Sequence, residues 1–157
     1  MTPALPIALS CGEPAGIGPE IAIKAWDALK ESVPFFYIGD PEHLDGPVAV
    51  ISEPADALDA CATALPVLPL PFEGARAPGV PQPAHAQGVI DAIARGVALV
   101  QAGRASALTT CPIHKKALQD GAGFAYPGHT EYLASLGGVD SVVMMLACDA
   151  LRVVPAP

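Results

Sequence analysis

Short apolar runs closed by glycine, proline or aspartate recur along the chain. Residues 5–10 form one such run and predict a buried strand ending in a Gly/Pro turn. Pro19 suits the first turn of a helix, and Ile21, Ile23, Ala25, Trp26 and Leu29 continue that helix to about Glu31. Residues 34–39 predict a second strand, stopped by Gly39-Asp40-Pro41, and 48–51 a possible third. Residues 55–64 read as a short helix and 67–70 as a strand. Between Pro66 and Pro83 the prolines are too dense for a helix or a central strand, so a connector is expected there. A long helix over 84–102 follows, with Val89, Ile93, Val97 and Val100 at helical spacing and Gly103 placed to end it. The remaining expectations are strands at 106–110, 140–147 and 151–154 and helices at 113–120 and 129–136. Strands alternating with helices predict an α/β fold with an open, mostly parallel sheet flanked by helices.

The bulk composition agrees with a packed core. Hydrophobic residues make up 52% of the 157 and charged residues 15%, the reverse of a disordered chain. The length fits one ordinary domain, and so apolar a chain either packs as an interior-rich layer structure or hides a face against something else. The formal charge of −8 shows no basic footprint, so nucleic acid is excluded as a partner. It does not exclude an anionic metabolite, because a few N–H groups and one lysine make a local site. Cys11, Cys61, Cys111 and Cys148 lack metal-type spacing and read as reduced thiols of a cytoplasmic protein. No apolar run approaches a membrane span, and Pro3, Pro6 and Pro14 interrupt an N-terminus without a basic region, against a signal peptide.

Three motifs carry possible chemistry. Gly12-Glu13-Pro14-Ala15-Gly16-Ile17-Gly18-Pro19-Glu20 joins a predicted strand to a predicted helix. Its glycine spacing matches neither the dinucleotide fingerprint nor a Walker loop. It would place Glu13 at the carboxyl end of a strand, where α/β sheets bind ligands, or simply fold the chain back. Thr109-Thr110-Cys111-Pro112-Ile113-His114-Lys115-Lys116 offers hydroxyls, a helix start and Lys115 to an anion. Its structural alternative is threonines in a strand or capping a helix, with solvated lysines. Pro127-Gly128-His129-Thr130-Glu131 places His129 and Thr130 at another helix start, or is plain capping. In a parallel sheet such places share one edge, which favours a common site.

In order and spacing these motifs, with Gly88 and the Met144-Met145-Leu146 to Leu151-Arg152-Val153 stretch, resemble the N-terminal half of the 4-hydroxythreonine-4-phosphate dehydrogenase (PdxA) family. The resemblance implies a fold related to isocitrate and isopropylmalate dehydrogenases and a homodimer with sites shared across the interface. It implies NAD-dependent oxidation of 4-phosphooxy-L-threonine, then decarboxylation to 3-amino-2-oxopropyl phosphate, in vitamin B6 synthesis. NAD and a divalent metal serve the full-length family enzyme, and neither is expected on this chain alone. His129 and Thr130 match the family's substrate pair, Lys115 its Pro-x-x-Lys lysine, and Glu13 an acidic loop position. His43, His85 and His114 match no metal ligand.

Family chains are about twice this long, and the first metal histidine is expected in a Thr-Thr-His segment where this chain reads Pro155-Ala156-Pro157. Cys111 stands where glycine or alanine is expected. The alternatives are a truncated non-catalytic fragment, a related dehydrogenase acting on another phosphorylated hydroxy acid, and a stand-alone phosphate-binding module.

Overall fold

The computed structural model describes residues 5–155; the readings placed on residues 1–4 and on Ala156 and Pro157 lie outside them. The chain divides into two compact units, one ending at Phe124 and the other beginning at Ala125.

In the first unit, β1 (Ile7–Ser10), β2 (Phe35–Gly39), β3 (Val48–Val50), β4 (Leu65–Pro69) and β5 (Leu108–Thr110) form one sheet in the order β3-β4-β2-β1-β5. Every pairing is parallel. The central strand β2 is apolar without alternation because both its faces are covered: all of it is buried. The flanking helices are α1 (Gly18–Leu29), α2 (Ala57–Ala60), α3 (Ala86–Gln101) and α4 (Lys115–Ala122). This is the open parallel α/β architecture expected.

Helix α1 buries Ala22 and Trp26, one turn apart, and the Trp26 indole N–H donates to the Cys61 carbonyl at 2.7 Å. Ile21 and Leu29 of the same helix are exposed. Helix α3 buries Val89, Ala92, Ile93, Gly96 and Leu99 and lies against β1, β2 and β5. Val97 and Val100 sit at its margin, only partly buried.

Four expectations need correction. Pro66 and Pro69 lie inside β4, which is not an edge strand. Leu65 N–H donates to Pro47 O on the β3 side, and Leu70 N–H to Gly39 O on the β2 side. By alternation Pro66 faces β2 before their ladder begins at Tyr37–Val67, and Pro69 faces β3 beyond its end. Neither missing N–H therefore costs a ladder bond. The helix expected over 55–64 shrinks to a 3-10 turn, Pro54–Asp56, and the single turn of α2. Helix α4 starts at Lys115 rather than Ile113, because the His114 side chain, not Pro112, forms its start. The apolar run 140–147 is paired only at its end.

That end belongs to the second unit. There α5 (His129–Gly137) stops at Gly138, and β6 (Leu146–Cys148) pairs antiparallel with β7 (Leu151–Val153). Every residue of this hairpin is exposed. Tyr132 is buried, its ring centroid is 5.1 Å from that of Tyr126, and the Tyr126 and Ser135 hydroxyls are 2.9 Å apart. Among the described residues no helix is long and apolar enough to cross a membrane.

Candidate active site at the carboxyl edge of the parallel sheet

Strands β1 and β5 are neighbours, and Ser10 is level with Thr110, so the first two motifs leave the sheet side by side. The turns touch directly: Glu13 N–H donates to the Pro112 carbonyl at 2.9 Å. Gly12 makes the contact possible. Its φ is +66°, and a Cβ there would lie 2.4 Å from the Pro112 oxygen and 2.8 Å from Cys111 Cβ. Left-handed backbone and close approach both call for glycine.

Glu13 is 5% exposed. One carboxylate oxygen accepts the Ala15 N–H at 3.0 Å, and the Glu13 carbonyl accepts the Gly16 N–H at 2.9 Å. The loop thus spends the N–H groups of Glu13, Ala15 and Gly16 on itself and its neighbour. A dinucleotide loop must leave such groups free for a pyrophosphate, so this loop does not fit that role.

A cavity of about 270 Å³ lies over the turns, lined by Glu13, Ala15, Gly16, Gly79, Pro81 and His114. His114 Nδ1 accepts the Ala117 N–H at 3.1 Å, which in the neutral ring leaves the proton on Nε2 as a donor. Lys115, the next residue, is exposed at the start of α4, whereas Lys116 is paired with Asp120 at 2.8 Å. Beneath the turns, burial pushes the Cys111 thiol up to about 11, and burial with the adjacent Cys111 pushes Cys11 higher still. Cys111 fits beside α1, its thiol 3.8 Å from the Gly18 carbonyl. These thiols are structural rather than nucleophilic.

The structure therefore brings Glu13 and the Lys115 segment together in the first unit. His129 and Thr130 are the first two residues of α5 in the second, both partly exposed. His114 was missed as a cavity-lining residue, since histidine is outside the usual N-cap set. Gly79 and Pro81 were missed because nothing local shows which loop a proline-rich connector crosses. Among the described residues no three His, Cys, Asp or Glu side chains gather as metal ligands.

The fold defines the class: an α/β protein built on the isocitrate-dehydrogenase-like parallel sheet. It superposes on a crystal structure of 4-hydroxythreonine-4-phosphate dehydrogenase from Klebsiella pneumoniae with a TM-score of 0.86 and 33% identity, over 96% of this chain and 50% of that one. The family described as Pyridoxal phosphate biosynthetic protein PdxA matches residues 30–156, and the chain belongs to it. It is 64% identical over 152 residues to the 4-hydroxythreonine-4-phosphate dehydrogenase of Ruegeria sp. (strain TM1040), covering 96% of this chain and 47% of the relative. It is 57% identical to that of Roseobacter denitrificans, covering 99% of this chain and 49% of the relative. The chain thus spans about half the length of the curated relatives it matches.

Proposed function

We propose that this chain is the N-terminal, substrate-binding portion of a cytoplasmic, homodimeric 4-hydroxythreonine-4-phosphate dehydrogenase. The whole enzyme would oxidise the C3 hydroxyl of 4-phosphooxy-L-threonine, NAD taking the hydride, and lose carbon dioxide to give 3-amino-2-oxopropyl phosphate. The supporting observation is the 64% identity to the Ruegeria dehydrogenase across 96% of this chain. Lys115, exposed at the start of α4, supplies an ammonium to a phosphate or carboxylate. His129 and Thr130 add donors from the start of α5, and Glu13, beside His114, shapes the cavity on the sheet edge. Two-stranded hairpins are marginal in water. The exposed Leu146, Leu151 and Val153 therefore favour burial of the hairpin in the homodimer.

Two readouts test this. In an NADH-formation assay with 4-phosphooxy-L-threonine and added divalent metal, the 157-residue chain alone should show no turnover. Measurable turnover would overturn the reading that the chain holds only part of the site. In calorimetric titration with 4-phosphooxy-L-threonine, Lys115→Ala should weaken binding by about 1.5–3 kcal/mol, the worth of a hydrogen bond to a charged group. Unchanged affinity in Lys115→Ala and His129→Ala would refute these residues as the substrate grip. The first assay also addresses the reading of the chain as a non-catalytic fragment.

A further inference from the structure

The connector between β4 and α3 crosses the carboxyl edge of the sheet and roofs the Glu13 cavity through Gly79 and Pro81. Backbone and ionic contacts tie it down. Phe72 N–H donates to Asp40 Oδ2 at 3.0 Å, and Gly79 N–H to the Ala15 carbonyl at 2.7 Å. Arg76 pairs with Asp45 at 2.9 Å and reaches the Pro14 carbonyl at 3.5 Å.

An apolar anchor of the connector is the Phe72 ring, which meets two histidines in a three-ring cluster. The ring centroids are 5.3 Å from His43 and 5.7 Å from His85, and the two imidazoles are 5.4 Å apart. Gly88 of α3 gives the ring its room, since a Cβ there would lie 2.6 Å from it. His43 is 3% exposed and His85 1%. Neither ring nitrogen of His85 has a hydrogen-bond partner among the described residues. Two neutral imidazoles pack well against a phenyl ring. An imidazolium there gives up its hydration and gains no new partner.

We propose that the His43–Phe72–His85 cluster is a proton-sensitive anchor, holding the connector over the Glu13 cavity while His43 is neutral and loosening it when His43 takes up a proton.

The charges around the cluster do not remove this sensitivity. Burial holds His43 below the usual imidazole range; Asp40 and Glu42 oppose that shift, while His85 and Arg76 add to it. Asp40 is the nearest candidate to neutralise a proton on His43. Both its oxygens are already committed, Oδ1 to Glu42 N–H at 2.9 Å and Oδ2 to Phe72 N–H at 3.0 Å. Drawing Asp40 toward an imidazolium would itself release Phe72. Helices α3 and α4 pack against the turn carrying His85. Their charges are engaged elsewhere: Asp91 accepts from Gln87, Arg95 donates to the Pro69 carbonyl, and Lys116 pairs with Asp120, while Lys115 is exposed.

The sign follows from linkage. A histidine lowered in the folded state binds its proton more readily once the anchor is open. The stabilisation is therefore complete above the ordinary value of about 6.5 and is lost as pH falls through the lower folded value. The device is independent of which anion the cavity receives.

Hydrogen exchange read by mass spectrometry, corrected for intrinsic rates, tests it on the 157-residue chain between about pH 8 and pH 5. Above about pH 6.5 the ratio of connector to α3 protection should be flat, and below it connector protection should fall by up to about tenfold per pH unit for one proton taken up. The His43→Phe variant should keep the protection seen at alkaline pH and lose its pH dependence. Connector and α3 protection changing in parallel in the wild type would overturn the proposal. So would a folded His43→Phe variant with the wild-type pH profile. Should that variant not fold, NMR titration of the wild type decides: the Phe72 ring signals must move with the protonation of His43, and His43 titrating alone refutes the anchor.

Discussion

Replacing Gly12 by alanine tests the contact on which the candidate site is built. Gly12 sits at φ +66°, and an L-residue in that region costs about 1–2 kcal/mol. The new methyl would also lie 2.4 Å from the Pro112 carbonyl oxygen. That atom is backbone held by the adjoining strand, so it cannot rotate aside, and overpacking of this kind costs about 1–3 kcal/mol. Together Gly12→Ala should destabilise the fold by about 2–5 kcal/mol, from the sum of those two ranges. At a urea m-value of about 2 kcal/mol/M the unfolding midpoint falls by about 1–2.5 M. Fluorescence of Trp26, the single tryptophan, reports the transition because its indole is buried and bonded to Cys61. Gly74→Ala is the control: Gly74 has φ +79° but no atom within 4 Å of the added Cβ, so it carries the backbone cost alone. Equal destabilisation by the two substitutions would refute the close approach of the β1 and β5 turns.

Three further outcomes follow from named contacts. Asp40→Ala removes the acceptor for two N–H groups, those of Glu42 and Phe72, and should lower stability by about 1–2 kcal/mol in thermal unfolding; an unchanged Tm would contradict the role of Asp40 in holding the connector. Trp26→Phe leaves the buried Cys61 carbonyl without its donor and should cost about 1–3 kcal/mol by circular dichroism, with no loss expected if that bond were incidental. Cys111, pushed up to about 11 from 9.0, should alkylate about a hundredfold more slowly than an ordinary thiol at neutral pH, before burial slows it further. Rapid native-state labelling of Cys111 would show that the sheet edge opens.

The relation between sequence and structure differs from segment to segment. Helix α3 was legible because its buried Val89 and Ile93 lie one turn apart in one continuous stretch. The strands of the parallel sheet were legible as unbroken apolar runs, since β2 is buried on both faces. The apolar run at 140–147 misled, because a strand exists only where a partner is present and β7 pairs with Leu146–Cys148 alone. The Glu13 loop showed itself as a turn, but the return of its carboxylate to the Ala15 N–H depends on torsions that residue types do not specify.

Local periodicity and the punctuation by glycine and proline were enough to identify a layered α/β protein, because burial on a helix or strand repeats over a few residues. The placement of Pro66 and Pro69 inside β4, the meeting of Glu13 with Pro112, and the packing of His43 and His85 around Phe72 depended on the order β3-β4-β2-β1-β5 and on the path of the connector. Those are contacts between distant segments. Whether a missing N–H is harmless, or an imidazole is cut off from water, depends on the neighbour the fold supplies, and no run of adjacent residues contains that neighbour.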